Sequence, residues 1–459
     1  MGNTERAQER ESVLTKQQRI AQAVRQHPKQ GLTSLNHYLD MEWMREAYRR
    51  VRKDSAPGYD GQTVQQYGEH LEDNLASLLE RAKSGSYIAP PVRRVFIPKG
   101  TGKDTRPIGI PTTEDKVLQR AITMILEPVF EQSFYDFSFA FRPGRSPHQA
   151  LEYLWEQINS THTTYILDVD VRKFFDTMVR AQLREMFGCR VRDGVITRLV
   201  DKWLKAGVLE DGDVWYPEQG TPQGGVISPL LSNIYLHVVM DRWFAQIVTK
   251  RLRGRAFMVR FADDCVMGFE YQQDADQVYR ELPKRLEQYG LSLHPEKTRL
   301  IPFRRPRQAK SPGGKDGETT GTFDFLGFTH YWGKSRRGSW VLKRKTAQSR
   351  LTRGLQGIRQ WCRRNRHRKV QEQFVDLKRK LEGHYAYYGI TGNGPWLEHF
   401  REEVKKTWCK WLSRRSRSRK GKPWEWFDAL IKQHFPFPPA RVVHSIYTQR
   451  NHSSRNRLR

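Results

Sequence analysis

The segment FMVRFADDCVMGF, residues 257–269, places two adjacent acidic residues, Asp263 and Asp264, between two short apolar runs. Runs of this length and composition are typical of strands, and the residues between them suit the turn of a β-hairpin. Two carboxylates at a hairpin tip are compatible with a solvated turn, where Asp is common, and with a metal-binding site. The segment alone leaves both alternatives open.

A second acidic segment, TYILDVDV at 164–171, favours the metal-binding alternative. Its alternating pattern predicts a strand in which Asp168 and Asp170 point to the same face. Divalent ions held by carboxylates from different strands can activate a 3′-hydroxyl and stabilise a leaving pyrophosphate. If this strand lies beside the hairpin, one of its carboxylates meets Asp263.

The order of elements along the chain predicts an α+β fold. A basic strand and loop at 92–110 precede a helix near 114–130, then the acidic strand, a Gly-rich turn and helix at 220–244, and the acidic hairpin. This order on one antiparallel sheet resembles a split βαβ palm. Apolar residues at helical spacing between 370 and 388 predict a helical domain further on.

Composition indicates a polyanionic partner. The 459 residues include 80 Lys and Arg against 50 Asp and Glu, a net charge of +30 with a pI near 10.1. Residues 341–459 alone hold 30 Lys and Arg and 8 Asp and Glu, with tryptophans such as Trp361 and Trp408 among them. Aromatic side chains among arginines suit nucleic acid, whereas no long basic amphipathic segment favours an anionic membrane.

Cysteine spacing and hydropathy exclude other classes. The four cysteines lie far apart, without a C-x-x-C pair or a zinc-finger His pair, so we expect reduced, buried thiols. No apolar run approaches about 20 residues, and the N-terminus has no apolar leader. We therefore expect a soluble, cytoplasmic protein with no membrane partner.

Seven successive motifs together resemble those of the bacterial group II intron reverse transcriptase/maturase family. The motifs are IPKGTGKDTRPIGIPTTEDKVLQRA (97–121), SFAFRPGRSPHQAL (138–151), DVRKFFD (170–176), GTPQGGVISPLLSNIYLH (220–237), RFADDCVMG (260–268), LSLHPEKTRL (291–300) and FDFLGF (323–328). The resemblance runs from about Tyr38 to about His444. The family's Tyr-Ala-Asp-Asp reads Phe-Ala-Asp-Asp here, and Ala140 replaces a family glycine in SFAFRP. The lack of a Cys/His cluster after Cys409 implies a member without an endonuclease domain.

The resemblance implies a right-hand polymerase with fingers, a split-βαβ palm and an α-helical thumb. The expected segments are a basic N-terminal extension (1–35), the fingers region (36–160), the palm with the catalytic aspartates (161–330) and the α-helical thumb/maturase domain with a basic tail (331–459).

The implied activity is RNA-directed DNA polymerase, a nucleotidyltransferase that adds dNTPs to a DNA primer on an RNA template. The resemblance also implies binding of group II intron RNA, which would assist splicing and the mobility of the element. Two rival interpretations are a host-adopted reverse transcriptase in repair or defence, and an RNA-binding splicing factor without polymerase activity. The acidic set Asp170, Asp263 and Asp264 argues against the second rival.

By the same resemblance, two Mg²⁺ ions would be held by Asp170 and Asp263. Asp264 would be the accompanying acid, and the backbone carbonyl of Val171 a further ligand. Asp168 lies outside the family's catalytic position, and we interpret it as a structural or auxiliary charge.

Nucleotide binding is implied for residues in three motifs. Lys99 and Arg106 would neutralise the triphosphate, with contact to a duplex backbone as the alternative. Phe174 or Phe175 would press on the sugar to exclude a 2′-hydroxyl, and Phe175 is the favoured candidate. Gln223 would hydrogen-bond a base or sugar edge, unless its turn only begins a helix.

Template or RNA contact is implied for Arg142, Arg145 and Gly224. A glycine permits close backbone approach to a ligand, and an arginine can bind phosphate. For Arg142 the alternative is a buried arginine that pairs with an acidic residue.

Overall fold

The computed structural model describes most of the chain. The described residues are 3–98, 105–217, 219–220, 224–306, 320–415 and 424–445, with all their side chains except those of residues 3–5 and Trp426. The chain divides into two compact units, one of residues 1–153 and 165–300 and the other of residues 154–164 and 301–459. The finer division into fingers, palm and thumb stays a prediction, and the second unit begins 30 residues earlier than the expected thumb.

The helices carry most of the described residues. They are α1 (Asn3–Gln26), α2 (Met41–Arg50), α3 (Val64–Tyr67), α4 (Leu71–Ser84), α5 (Thr113–Glu131), α6 (Pro147–Ser160), α7 (Phe174–Thr177), α8 (Arg180–Gly188), α9 (Gly194–Leu204), α10 (Ser228–Leu236), α11 (Thr249–Arg251), α12 (Gln272–Glu287), α13 (Gln348–Asn365), α14 (Val370–Tyr388), α15 (Gly394–Leu412) and α16 (Trp424–His434). Two π-helical segments, His237–Asp241 and Phe244–Val248, follow α10.

The strands form three sheets. They are β1 (Val92–Pro98), β2 (Thr105–Ile110), β3 (Tyr165–Asp170), β4 (Val208–Glu210), β5 (Asp213–Trp215), β6 (Ala256–Phe261), β7 (Asp264–Phe269), β8 (Arg299–Pro302), β9 (Phe323–Phe325), β10 (Phe328–Lys334) and β11 (Trp340–Thr346). The strand orders are β2-β1-β4-β5, β6-β7-β3-β8 and β11-β10-β9. The predicted α+β class and the antiparallel sheet that combines the acidic strand with the acidic hairpin are both present.

Helix α5 forms the centre of the first unit. Nearly all of its residues between Thr113 and Phe130 are buried, and it packs against α1 and α2. Thr112 caps the helix by accepting a hydrogen bond from the backbone N–H of Asp115. A helix that is apolar on most sides is expected at the centre of a core rather than at a surface.

The N-terminal helix α1, within the segment expected as a basic N-terminal extension (1–35), packs into this core. Val13, Ile20 and Val24 are buried because spacings of seven and four residues put them on one helical face. The side-chain amide of Gln17 donates to the backbone carbonyl of Met124 at 2.9 Å. The low apolar content of this segment concealed a narrow but continuous buried stripe.

The second unit combines a small sheet with helices α13 to α16. Strands β10 and β11 form a hairpin from Phe328 to Thr346. The segment 331–459 was expected to be α-helical, but it begins with this hairpin. The predicted stripe in α14 is confirmed, since Leu377, Leu381 and Tyr385 are buried in the helical core. The hairpin escaped prediction because the consecutive Lys343, Arg344 and Lys345 interrupt the apolar alternation of β11, although Arg344 is buried.

The cysteines and the hydropathy partly match expectation. All four cysteines are free; Cys265 and Cys362 are buried as expected, but Cys189 is exposed and Cys409 is half-buried. In the described part of the chain no helix combines the length and apolar character needed to cross a membrane.

Candidate active site

The acidic hairpin has the predicted form. Phe261 pairs with Asp264, which leaves Ala262 and Asp263 as a two-residue connection between β6 and β7. Ala262 has a φ of +59°, and a positive φ in such a connection matches the twist of the flanking strands. For a residue with a Cβ this conformation costs about 1–3 kcal/mol, so neighbouring groups must hold it.

The acidic strand β3 lies directly beside the hairpin. In the β3–β7 ladder Asp170 stands opposite Asp264, and Asp168 stands opposite Val266 two residues away on the same face. The Asp170 carbonyl accepts a hydrogen bond from the His294 backbone N–H at 2.8 Å. The strand therefore fixes Asp170 at the end of the sheet where the hairpin turns.

Electrostatics connect Asp170 with the hairpin tip. Burial raises the pKa of Asp263, and the negative charge of Asp170 raises it further, against the lowering effects of its own backbone hydrogen bond and the cations Arg106 and Arg260. The two carboxylates are therefore close enough to repel each other. A bound cation would relieve this repulsion.

The donor set suits magnesium. Among the described residues, no three His, Cys, Asp or Glu side chains form a group that could by itself hold a metal ion. Mg²⁺ is commonly bound through one or two carboxylates together with water and substrate phosphates, rather than by a complete protein cage. Two mutually repelling carboxylates from different strands fit that mode of binding. Val171 comes directly after Asp170 at the end of β3 and forms an isolated β-bridge with Leu293. Its backbone carbonyl, the further ligand that the sequence predicts, therefore lies next to Asp170 along the chain.

Two basic residues accompany the acids on β3. Lys297 Nζ lies 3.3 Å from Asp170 Oδ2, and half of the lysine side chain is exposed. Arg299 lies 3.4 Å from Asp168, whose side chain is only 14% exposed. Asp168 therefore has its own counter-ion, as an auxiliary structural charge would.

Sequence reasoning missed Arg260, which supports the hairpin turn through a buried network of hydrogen bonds and an ion pair. Its guanidinium is fully buried and binds both carboxylate oxygens of Asp241, at 2.7 and 2.6 Å. It also donates to Asn233 Oδ1 at 3.1 Å, Ser138 Oγ at 2.8 Å and the Ala262 carbonyl at 3.0 Å. The last bond supports the strained turn residue next to Asp263. A charged residue inside an apolar strand was the available signal, because a buried charge must be paired.

The adjacent phenylalanines have different environments. Phe174 is buried in the core of the first unit, and Phe175 is only half-buried beside it. Their rings meet edge to face, with centroids 5.4 Å apart. Of the two, Phe175 has the surface available to a ligand.

The basic strand-loop is described only in part. Arg106 is exposed on β2, and its positive charge acts to lower the pKa of Asp263, so it is near enough to affect the acidic tip electrostatically. Lys99 and Gln223 lie outside the described residues. Gly224 has a φ of +117°, and a Cβ there would come within 2.4 Å of the Gly109 carbonyl on β2. The glycine is thus required for close packing against β2, a role that needs no RNA.

For Arg142 the structure realises the alternative rather than the template contact. Its side chain is nearly fully buried and forms a forked ion pair with Glu131, at 2.7 Å at its closest. Its Nη1 donates to the carbonyls of Tyr135 and Ser138 at 2.6 and 2.5 Å. The side chain is therefore held inside the protein by an acid and two carbonyls, as the alternative interpretation expects. Arg145 pairs with exposed Asp136 at 2.6 Å and remains partly accessible, so its predicted contact stays open.

Comparison with known proteins gives consistent matches. Residues 97–330 match the sequence family described as reverse transcriptase (RNA-dependent DNA polymerase). The group II intron-encoded protein LtrA of Lactococcus lactis subsp. cremoris is 37% identical over 179 residues, which cover 39% of this chain and 29% of LtrA. Protein YkfC of Escherichia coli K12 is 35% identical over 257 residues, covering 49% of this chain and 67% of YkfC.

A plant protein extends the comparison. Nuclear intron maturase 4, mitochondrial, of Arabidopsis thaliana is 29% identical over 196 residues, which cover 42% of this chain and 23% of that protein. The matched part thus spans less than a third of LtrA and of the plant maturase.

Proposed function

Because this chain belongs to the reverse transcriptase family, in the group that includes group II intron-encoded proteins, we propose that it is an RNA-directed DNA polymerase that also binds a group II intron RNA. The observation that carries the polymerase activity is the pairing of Asp170 with Asp264 beside the Asp263 turn. Carboxylates from two neighbouring strands are the arrangement that two-metal phosphoryl transfer needs.

Polymerases of this family use divalent metal ions, and we propose two Mg²⁺ held by Asp170 and Asp263, with Asp264 and the Val171 carbonyl as further ligands. When bound, the ions activate the primer 3′-oxygen and stabilise the leaving pyrophosphate. Asp170 and Asp263 orient this centre from two separate elements, and Arg260 keeps the turn that carries Asp263 in place. Val171 can contribute only its main chain, since its side chain is buried.

The incoming dNTP would lie between the acidic tip and the basic strand-loop. Arg106, next to Asp263, would neutralise phosphate oxygens together with Lys99. The exposed part of Phe175 would contact the sugar and exclude a 2′-hydroxyl, and Gln223 would approach the base. Arg145 would contact the template.

The intron RNA would bind the basic C-terminal part of the chain. Support comes from the charge of residues 341–459 and from relatives named for introns and maturases. Through this binding the protein would stabilise the spliced fold of the RNA and support mobility. We propose a cytoplasmic location because a bacterial intron RNA is made there.

The polymerase is tested by Mg²⁺-dependent extension of a DNA primer on an RNA template. The wild type is compared with the double variant Asp263→Asn, Asp264→Asn and with Asp176→Asn, an exposed acid on α7, as the matched control. We expect extension by the wild type and the control, and a loss of at least about a hundredfold in the double variant. Extension retained by the double variant would refute the metal site. No extension by any of them, with tight RNA binding, would leave the splicing factor without polymerase activity.

The RNA partner is tested separately by splicing of a group II intron RNA with and without the protein at near-physiological salt. We expect protein-dependent splicing that weakens steeply with salt, because phosphate contacts release counterions. Splicing unaffected by the protein would favour a host-adopted reverse transcriptase in repair or defence.

A further inference from the structure

A cleft in the second unit is lined by residues that are far from the acidic strands in sequence. It encloses about 570 Å³ among helices α13, α14 and α15. Gly354 and Gly357 of α13 form its floor, and Trp361, His384 and Phe400 form aromatic walls. The chemistry proposed above uses none of these residues.

The floor is open because two mid-helix residues lack side chains. A Cβ at Gly357 would meet no atom within 4 Å, and one at Gly354 would touch only the Phe400 ring, at 3.1 Å. Each glycine costs a helix roughly 1 kcal/mol relative to alanine. The sequence of α13 thus gives up helix stability at two positions that line the cleft, where a large side chain would project into it.

Trp361, which is half-buried, offers a stacking surface and His384 a polar group, whereas Phe400 is buried. His384 stacks on Phe400, with ring centroids 3.8 Å apart and planes 9° from parallel. Its Nε2 is buried without a hydrogen-bond partner among the described residues. Burial lowers the pKa of His384 to about 4, so the ring is neutral at pH 7. A neutral imidazole can exchange one hydrogen bond with the edge of a ligand and does not itself attract phosphate.

The rim of the cleft is cationic. Lys380 lies 5.6 Å from the centroid of the Trp361 ring, and Arg364 lines the same opening. Both are exposed, and within the described part of the chain no carboxylate pairs with either. Helix α13 contains five arginines and no acidic residue in 18 positions. The ligand expected from this lining is flat and aromatic, with a polar edge and negative charge next to it.

We propose that this cleft binds an unpaired nucleobase of a structured RNA partner, with the base against Trp361, its edge towards His384 Nε2 and the flanking phosphates on Lys380 and Arg364. Bases stack well on aromatic side chains, and only an unpaired base can leave its helix to do so. The identification of the partner as RNA rests on the proposed function. The base belongs to the partner and not to the template being copied.

The matched pair of variants is Gly357→Leu and Gly383→Leu. Gly383 also lies on an exposed helical face, in α14, and a Cβ there also meets nothing within 4 Å, but it does not line the cleft. Both substitutions replace a helical glycine with a better helix former, so both are expected to fold. Only Gly357→Leu fills the cleft.

The probe is an RNA hairpin with a single bulged 2-aminopurine, compared with the same hairpin without the bulge. We expect the wild type and Gly383→Leu to bind the bulged hairpin tightly and to quench its fluorescence by stacking. Gly357→Leu should bind it about tenfold or more weakly without quenching, since one stacked base contributes that much. Binding of the unbulged hairpin should be the same for all three proteins.

Three results would overturn the proposal. Equal quenching by both variants would mean that the cleft takes no base, and equal losses on bulged and unbulged hairpins would mean that it contacts the backbone. A parallel loss of primer extension by Gly357→Leu on a single-stranded template would mean that the cleft binds a base of the template and not of the structured RNA partner. Failure of the proposed polymerase is recognised separately, because it abolishes extension by the wild type and leaves these comparisons of binding unchanged.

Discussion

The pKa values of two carboxylates near Arg260, Asp241 and Asp263, are shifted in opposite directions. Burial alone would raise the pKa of Asp241, but the charge of Arg260, its two hydrogen bonds and the nearby His237 hold it below its ordinary value. Burial raises the pKa of Asp263, and Asp170 raises it further. The fold neutralises the charge that it uses for support and leaves like charges together where a metal ion would bind.

The largest effect is expected from removing the support. Arg260→Met leaves Asp241 fully buried without its counter-ion, which should lower the free energy of unfolding by about 3–5 kcal/mol. The double variant Arg260→Met, Asp241→Leu should recover much of this loss, because it removes the orphaned charge as well. Urea unfolding of the three proteins measures both values.

A surface pair provides the control for this experiment. Lys284 and Glu281 lie 3.0 Å apart with side chains more than half exposed, so Lys284→Met should change stability far less than Arg260→Met. If Arg260→Met costs no more than this control, the buried network does not support the hairpin.

The next effect separates two acids of one strand. Asp170→Asn should reduce primer extension by about 10²–10³-fold, because a preorganised charge at the reacting centre is lost. Asp168→Asn, on the same face two residues away and paired with Arg299, should keep extension within a few-fold of the wild type. Single-turnover extension at saturating Mg²⁺ measures both, and RNA affinity serves as the control. Equal losses of extension in the two variants would place Asp168 in the catalytic set. Its pairing with Arg299 would then not distinguish a supporting charge from a reacting one.

Local patterns explain how much of this arrangement was predictable. The hairpin at Asp263 and the strand of Asp170 follow from short apolar runs and two-residue periodicity, which depend only on near neighbours. The partner of Arg260 is set by tertiary packing 19 residues away, so the sequence indicated that it needed an acid without indicating which one. Arg142 shows the same limit, since the family pattern suggested a template contact and the fold buries the side chain against Glu131 and two backbone carbonyls.

The second unit shows a different limit. The stripe of α14 was visible because helical spacing brings Leu377 and Leu381 to one face. The cleft above α13 was not visible, since an exposed glycine in a helix has no meaning in sequence until the neighbouring helices are in place. Clefts formed by missing side chains are therefore found only in the three-dimensional structure.

A smaller effect is expected from substituting Phe174 and Phe175 separately, since one is assigned to the core and the other to the sugar contact. Phe175→Val should reduce the preference for dNTPs over NTPs by about tenfold or more, because the smaller side chain no longer reaches the sugar and leaves room for a 2′-hydroxyl. Phe174→Leu should lower stability through a core cavity and leave that preference unchanged. Competing incorporation of dNTP and NTP at one template position measures the ratio. A change of selectivity in Phe174→Leu alone would reverse the two roles.

The smallest expected effect is a change in melting temperature on substituting Asp263, and its direction tests the repulsion at the hairpin tip. The pKa of Asp263 is raised in the folded protein, so the folded state binds its proton more tightly than the unfolded state does. The stabilisation is present below the ordinary aspartate pKa of about 3.9 and is lost as the pH rises through the folded value, which leaves the charged form unfavourable at pH 7.5. Asp263→Asn should therefore raise the melting temperature at pH 7.5 in EDTA, whereas Asp241→Asn should lower it. Lowering the pH should shrink the gain, and Mg²⁺ should stabilise the wild type more than Asp263→Asn, because an ion that binds only the native state favours it. If Asp263→Asn melts below the wild type in EDTA, the repulsion at the hairpin tip is already relieved within the protein, and the main electrostatic reason for a metal ion there disappears.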